Sequence, residues 1–186
     1  MRARRRGGNR AGRKPIRTTL HGIGAETDVI EAVRRALGRG AQLFWVCPLV
    51  EESEMLDLQA AQRRFEALDG LFPGKVGLAH GRQDSAIRQA ALDAFAAGRT
   101  RILVATTVIE VGVDIPSATI MVIEHAERFG LAQLHQLRGR VGRGAEASYC
   151  LLLHDDELTA TARQRLALLR DTEDGFAIAD EDFRLS

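Results

Sequence analysis

The strongest chemical signal in the sequence is the string QLRGRVGRG at residues 136–144. Arg140 and Arg143 are three residues apart, and the glycines around them let the backbone turn and a bulky ligand approach closely. This spacing predicts two guanidinium groups on one side of a helix end. Because guanidinium pairs with phosphate oxygens, the arrangement suits a polyphosphate. Either arginine alone would be read as a solvated surface residue, but the whole string favours function.

A second signal is the string VATTVIEVGVDIP at residues 104–116, where a predicted strand runs into a polar loop. Ligands of open α/β sheets bind at the carboxyl ends of strands, which is where this loop falls. Thr106 could offer its hydroxyl and N–H to a nucleic-acid phosphate. Asp114 could accept a hydrogen bond from a ribose hydroxyl, and a loop-capping role is an equal alternative for it.

Weaker signals surround two other predicted strands. His80 and Arg82 follow one strand and could contact a phosphate, although a lone histidine in such a place is more often structural. Trp45 lies in the middle of an apolar strand and is predicted to be core.

The composition is that of one compact protein of 186 residues, with 45% hydrophobic and 27% charged residues. Residues 1–17 contain eight of the 26 Lys and Arg and no acid, which leaves 18 basic against 25 acidic residues beyond them. Residues 1–14 are predicted to be a disordered basic arm, either a solvated tail or a DNA-binding segment. DNA contacts of the acidic remainder would have to be local.

The two cysteines are predicted to be buried, reduced thiols, and no cluster of ligands indicates a metal site. The sequence contains no apolar run that approaches the roughly 20 residues of a membrane helix. A cytoplasmic location is therefore expected.

Short apolar runs alternate with segments of helical period, which predicts a three-layer α/β sandwich around a parallel sheet. One predicted helix, over about 52–69, has an apolar stripe that begins at Met55. Another, over 85–97, is preceded by Asp84 as N-cap and followed by Gly98 as the stop signal. The predicted strands are 17–20, 42–48, 75–79, 101–106, 119–124 and 148–153. A helical hairpin is predicted after the last strand, its second helix over 176–183.

The sequence contains no P-loop of the form G-x-x-x-x-G-K-[ST], since its only lysines are Lys14 and Lys75. It also contains no D-E-x-[HQ] box to hold magnesium. The chain by itself therefore cannot cradle the β- and γ-phosphates of a nucleotide.

The pattern T-x-x-x-x-x-G-x-D followed by Q-x-x-G-R-x-G-R resembles motifs V and VI of superfamily 2 helicases. The strings WVCPLVEESE at 45–54 and EDGFAI at 173–178 look like RecG in particular. The resemblance implies a RecA-like second motor lobe at residues 15–155, followed by a truncated helical hairpin at 156–186. It also implies ATP-driven translocation on double-stranded DNA that remodels stalled forks and Holliday junctions.

The resemblance assigns roles residue by residue. Arg140 and Arg143 match the two motif VI arginines that act on ATP, with Gln136 near the γ-phosphate. Gly112 and Asp114 match the motif V pair that links nucleotide to DNA.

On the DNA side, Thr106 matches the phosphate-contacting threonine, and Thr107, His80 and Arg82 are predicted to contact DNA with it. Arg138 is expected to face away from the nucleotide and to matter far less for catalysis.

The implied partners are branched DNA, a first RecA-like lobe that supplies the P-loop and holds most of the Mg²⁺ coordination, and a wedge domain. The chain itself is expected to be a monomer and inactive alone. A transcription-repair coupling translocase and a non-catalytic nucleic-acid-binding RecA-like module are the alternatives.

Overall fold

The computed structural model of the protein describes residues 16–49, 54–106, 115–141 and 147–172. Within these ranges six strands form one parallel sheet. The strands are β1 (Ile16–Gly22), β2 (Gln42–Cys47), β3 (Val76–Ala79), β4 (Ile102–Thr106), β5 (Ala118–Ile123) and β6 (Ser148–His154). Their order across the sheet is β1-β6-β5-β2-β4-β3, so all carboxyl ends lie along one edge, which we call the carboxyl edge.

Five α-helices connect and cover the described strands. They are α1 (Glu26–Gly38), α2 (Glu54–Leu71), α3 (Ser85–Ala96), α4 (Leu131–Arg138) and α5 (Ala160–Asp171). None of the described helices is both long and apolar enough to span a membrane.

The two faces of the sheet carry separate hydrophobic cores. Along β2 the side chains alternate between them: Trp45 points into one core and Phe44 into the other. Helices α1 and α2 cover the first face, while α3, α4 and α5 cover the second. Because both faces are buried, β2 and β4 have no exposed residue, and the predicted three-layer sandwich is confirmed.

The local signals for one helix are confirmed. The Asp84 side chain accepts a hydrogen bond from the Ala86 N–H at 3.2 Å and caps the start of α3. Gly98 has φ +78°, a left-handed conformation that glycine adopts without the strain a Cβ would bring. All six predicted strands are present, with ends within two residues of the prediction.

The predicted apolar stripe of α2 is wrong at its first turn. Met55 is 55% exposed, and Asp57 is the buried residue there, at 2% exposure. Farther along α2 the stripe is as predicted, since Ala61 and Leu68 are both fully buried. The predicted arm, residues 1–14, and the second helix of the predicted hairpin, 176–183, lie outside the described residues.

Candidate functional site

The carboxyl edge brings the predicted DNA-side residues of two neighbouring strands together. Thr106 is the last residue of β4, and the neighbouring strand β3 ends at Ala79, directly before His80. Thr106 is buried, with 6% of its surface exposed. Thr107, Gly112 and Asp114 lie outside the described residues.

The loop after β3, beside β4, is ordered by its own side chains. Gln83 Oε1 accepts the His80 N–H at 2.7 Å, and Gln83 Nε2 donates to the Leu78 carbonyl at 2.9 Å. The Arg82 N–H donates to His80 Nδ1 at 3.0 Å, so a neutral His80 ring carries its proton on Nε2. Burial lowers the pKa of His80, against the opposing charge of Asp57.

The ring of His80 is only 4% exposed, whereas Arg82 is exposed. This geometry favours the structural alternative for the His80 side chain, and it leaves Arg82 accessible to a phosphate. The DNA-contacting role of both residues stays a prediction.

The short helix α4 presents the glutamine and the first catalytic arginine candidate. Its three leucines are buried against the sheet, while Gln136 is exposed. Gly139 ends the helix, and its N–H donates to the His135 carbonyl at 3.0 Å. Arg140 follows as an exposed turn residue, four positions after Gln136.

The backbone of Arg140 is held on both sides. Its own N–H donates to the Leu137 carbonyl at 3.0 Å, and the next N–H, of Val141, donates to the Arg138 carbonyl at 3.2 Å. Val141 is buried, with 1% exposure. Arg140 is therefore an exposed cation in a fixed turn that the buried Val141 follows, and its guanidinium and the Gln136 amide are donors that suit a nucleotide phosphate. Arg143 lies outside the described residues.

A buried polar network at the ends of β2 and β5 was not identified from the sequence. Glu124 Oε1 accepts a hydrogen bond from Trp45 Nε1 at 3.1 Å and another from Arg64 Nε at 2.6 Å. The guanidinium of Arg64 also pairs with Glu26, and its Cζ lies 4.8 Å from the centre of the Trp45 ring. Trp45 is fully buried, as predicted. The signal for this network was a glutamate placed directly after a continuous apolar strand.

A second polar group follows β5 and β6. His125 Nδ1 lies 2.9 Å from Asp155 Oδ1 and 3.5 Å from Glu127 Oε1. His125 adopts a left-handed φ of 50°, which is uncommon outside glycine. The sequence, which predicts no metal site, did not foresee the arrangement, because its members come from two separate strand ends.

The comparisons with known proteins identify the family. The model of the helicase conserved C-terminal domain matches residues 28–145. The chain belongs to this family. The predicted resemblance to RecG is also confirmed: ATP-dependent DNA helicase RecG of Acidithiobacillus ferridurans is 53% identical over 94% of this chain and 26% of that protein. RecG of Escherichia coli strain K12 is 52% identical over 94% of this chain and 25% of that protein.

Solved structures agree on the fold of this helicase C-terminal domain. A RecG structure bound to a three-way DNA junction superposes with a TM-score of 0.79 at 44% identity, over 93% of this chain and 22% of that one. The C-terminal domain of the DEAD-box protein Dbp5 matches at 18% identity with a TM-score of 0.58, which shows the fold alone. The predicted RecA-like lobe is thus confirmed, and the chain spans about a quarter of the length of its curated relatives.

Proposed function

We propose that this chain is the second motor lobe of an ATP-dependent, RecG-type DNA helicase. The observation that carries the proposal is the exposed Arg140, held in a fixed turn at the end of α4 within the motif VI string. Similarity to RecG over 94% of the chain supports it. A helicase of this type remodels stalled forks and Holliday junctions in recombination and repair.

Phosphoryl transfer spreads negative charge over the γ-phosphate oxygens and the leaving oxygen. Arg140 and Arg143 stabilise that charge from this lobe, and Gln136 lies near the γ-phosphate. Gly112 and Asp114 connect the bound nucleotide to DNA. ATP contributes the transferred phosphoryl group, and Mg²⁺ is held mainly by the first lobe, which supplies the P-loop.

Thr106, Thr107 and Arg82 contact the DNA backbone in this proposal, together with the loop that His80 orders. Contacts to phosphate position a protein on DNA without reading its sequence, which suits an enzyme that recognises branched structure. A RecG has been solved on a three-way junction, which supports branched DNA as the partner. The first lobe and the wedge domain complete the molecule, which acts as a cytoplasmic monomer.

The direct test replaces the matching segment of full-length Escherichia coli RecG with this chain and measures DNA-stimulated ATPase. Arg140→Ala or Arg143→Ala is expected to lower kcat on the order of 10³–10⁵-fold, because an arginine finger contributes that much. This corresponds to roughly 4–7 kcal/mol of activation free energy. Lysine at either position should not rescue, since it lacks the planar fork of donors.

Arg35→Ala is the matched control, because Arg35 is an exposed arginine on α1, in the other helical layer. It should leave kcat unchanged. DNA affinity and Tm should remain near those of the parent in all variants. Near-normal turnover in Arg140→Ala and Arg143→Ala, or a loss explained by unfolding, would contradict the proposed function.

A further inference from the structure

Arg138, two residues before Arg140, is the last residue of α4 and is directed into the protein. Only 2% of its surface is exposed, whereas Arg140 is exposed. Burying a guanidinium is costly unless its N–H groups are hydrogen-bonded. The contacts of Arg138 therefore require an explanation beyond packing.

One guanidinium joins three elements. Arg138 Nη1 donates to the Leu169 carbonyl at 2.5 Å and to Thr18 Oγ1 at 3.3 Å. Its Nη2 donates to the Thr172 carbonyl at 2.9 Å and lies 3.2 Å from His135 Nδ1. The arginine at the end of α4 is thus bound to β1 and to the last turn of α5.

The contacts to α5 are made where that helix needs a donor. The last carbonyls of an α-helix have no partner within the helix, and they form its negative end. Leu169 supplies one such carbonyl, and Thr172, which directly follows α5, supplies a second acceptor beside it. A buried cation there satisfies both groups and fixes the end of α4 against the end of α5.

The same residue sets the turn that carries Arg140. The carbonyl of Arg138 accepts the Val141 N–H at 3.2 Å, and Val141 is buried. The side chain of Arg138 therefore anchors one end of the turn at residues 139–141. The only exposed side chain in this turn is that of Arg140. A shift of the α4 terminus would move the Arg140 guanidinium with it.

We infer that Arg138 is a positioning residue, which holds Arg140 in the place where it meets the γ-phosphate. The inference rests on the proposed function of Arg140. It revises the sequence-based expectation that Arg138 contributes little: the side chain faces away from the nucleotide and acts through its neighbour.

The first experiment measures backbone hydrogen exchange in the 186-residue chain, without nucleotide. In Arg138→Gln, the amides of Arg140 and Val141 are expected to exchange at least about tenfold faster. The matched control is Gln42→Met, because Gln42 is also buried and donates to the Phe95 and Thr100 carbonyls at 2.7 and 2.9 Å, at the start of β2, which is three strands away from β1 in the sheet. The control should leave exchange at the turn unchanged.

The second experiment measures ATPase in the RecG hybrid that carries this chain. Misplacing a catalytic group by about 1 Å costs on the order of 100-fold, so Arg138→Gln should lower kcat by roughly 10–100-fold. KM for ATP and Kd for DNA should change by less than about threefold. Arg138→Lys should be intermediate, because it retains the charge but not the fork of donors.

Thr18→Val keeps the side-chain shape and removes one acceptor of the Arg138 guanidinium, so it is expected to lower kcat by a few-fold. This variant tests the inference even if Arg138→Gln does not fold. Wild-type kcat in Thr18→Val and Arg138→Lys, or an equal loss in Gln42→Met at the same Tm, would overturn the inference. The proposed function is tested separately: if Arg140→Ala is fully active it fails, whereas an inactive Arg140→Ala beside a fully active Arg138→Gln refutes only the positioning role.

Discussion

Two histidines at the carboxyl edge have pKa values below the ordinary value for reasons that the structure identifies. Burial is the main cause for both His21 and His80. His154 lowers the pKa of His21 further, while Asp28 opposes the shift there and Asp57 opposes it at His80. For His80 the geometry agrees, because protonating Nδ1 would replace an acceptor of the Arg82 N–H with a second donor.

The consequence is a stability that falls with acidification. Between the lowered folded pKa and the ordinary value of 6.5, the unfolded chain binds more protons than the folded one. The free energy of unfolding should therefore decrease as the pH falls below about 7. The asparagine amide oxygen of His80→Asn can accept the Arg82 N–H but cannot titrate. Part of the decrease in the free energy of unfolding should therefore disappear in this variant, and His21 should account for another part. Urea unfolding at about pH 7.5 and 5.5 measures it; an unchanged pH dependence in His80→Asn would show that another group is responsible.

The residues differ in how far the sequence could predict them. Arg140 was accessible to sequence analysis because glycines and a helix end dictate exposure. Arg138 was not, because its partners at Thr18 and Leu169 are 120 and 31 residues away. The tertiary contacts that bury a polar group leave no periodic trace in the chain.

At the scale of elements, the cap of α3 offers a quantitative test. Asp84 has an extended ψ of 134° and accepts the Ala86 N–H at 3.2 Å, which satisfies one of the unpartnered donors of the first turn. Asp84→Ala should lower the free energy of unfolding by about 1 kcal/mol. Asp84→Asn is the matched control and should stay within a few tenths of the parent, because asparagine caps equally well. Equal losses in both variants, measured by urea unfolding, would attribute the effect to charge.

Strands were easier to predict than helices here, for a physical reason. Burial on both faces forces continuous apolar runs in β2 and β4, and such runs can be read directly. Helix α1 was not identified, although Val29, Val33 and Ala36 recur at helical spacing and are buried. At the start of α2 the apolar period predicted the wrong buried residue: Asp57, whose charge acts on His80, is buried, and Met55 is exposed.

At the scale of the whole molecule, several basic side chains lie together at the carboxyl edge of the described fold, near the ends of β2 and β5. A groove of about 510 Å³ there is lined by Arg63, Arg64 and Arg128, with Glu124 already paired to Arg64. The chain beyond residue 17 has a net charge of −7, from 18 basic and 25 acidic residues. DNA contact by this lobe is therefore expected to be local and confined to that edge.

The isolated 186-residue chain should show no DNA-stimulated ATPase activity. In the proposed function, Arg140 and Arg143 stabilise charge on a phosphate that another part of a helicase must bind, because the 186 residues include no P-loop and neither lysine falls in such a loop. The purified chain should give only background phosphate release with saturating branched DNA, whereas the hybrid with Escherichia coli RecG should turn over under the same conditions. The Arg143→Ala chain is the control for contaminating activity, since a contaminant is unaffected by the substitution. Turnover above background that Arg143→Ala abolishes would show that this lobe binds and hydrolyses ATP unaided.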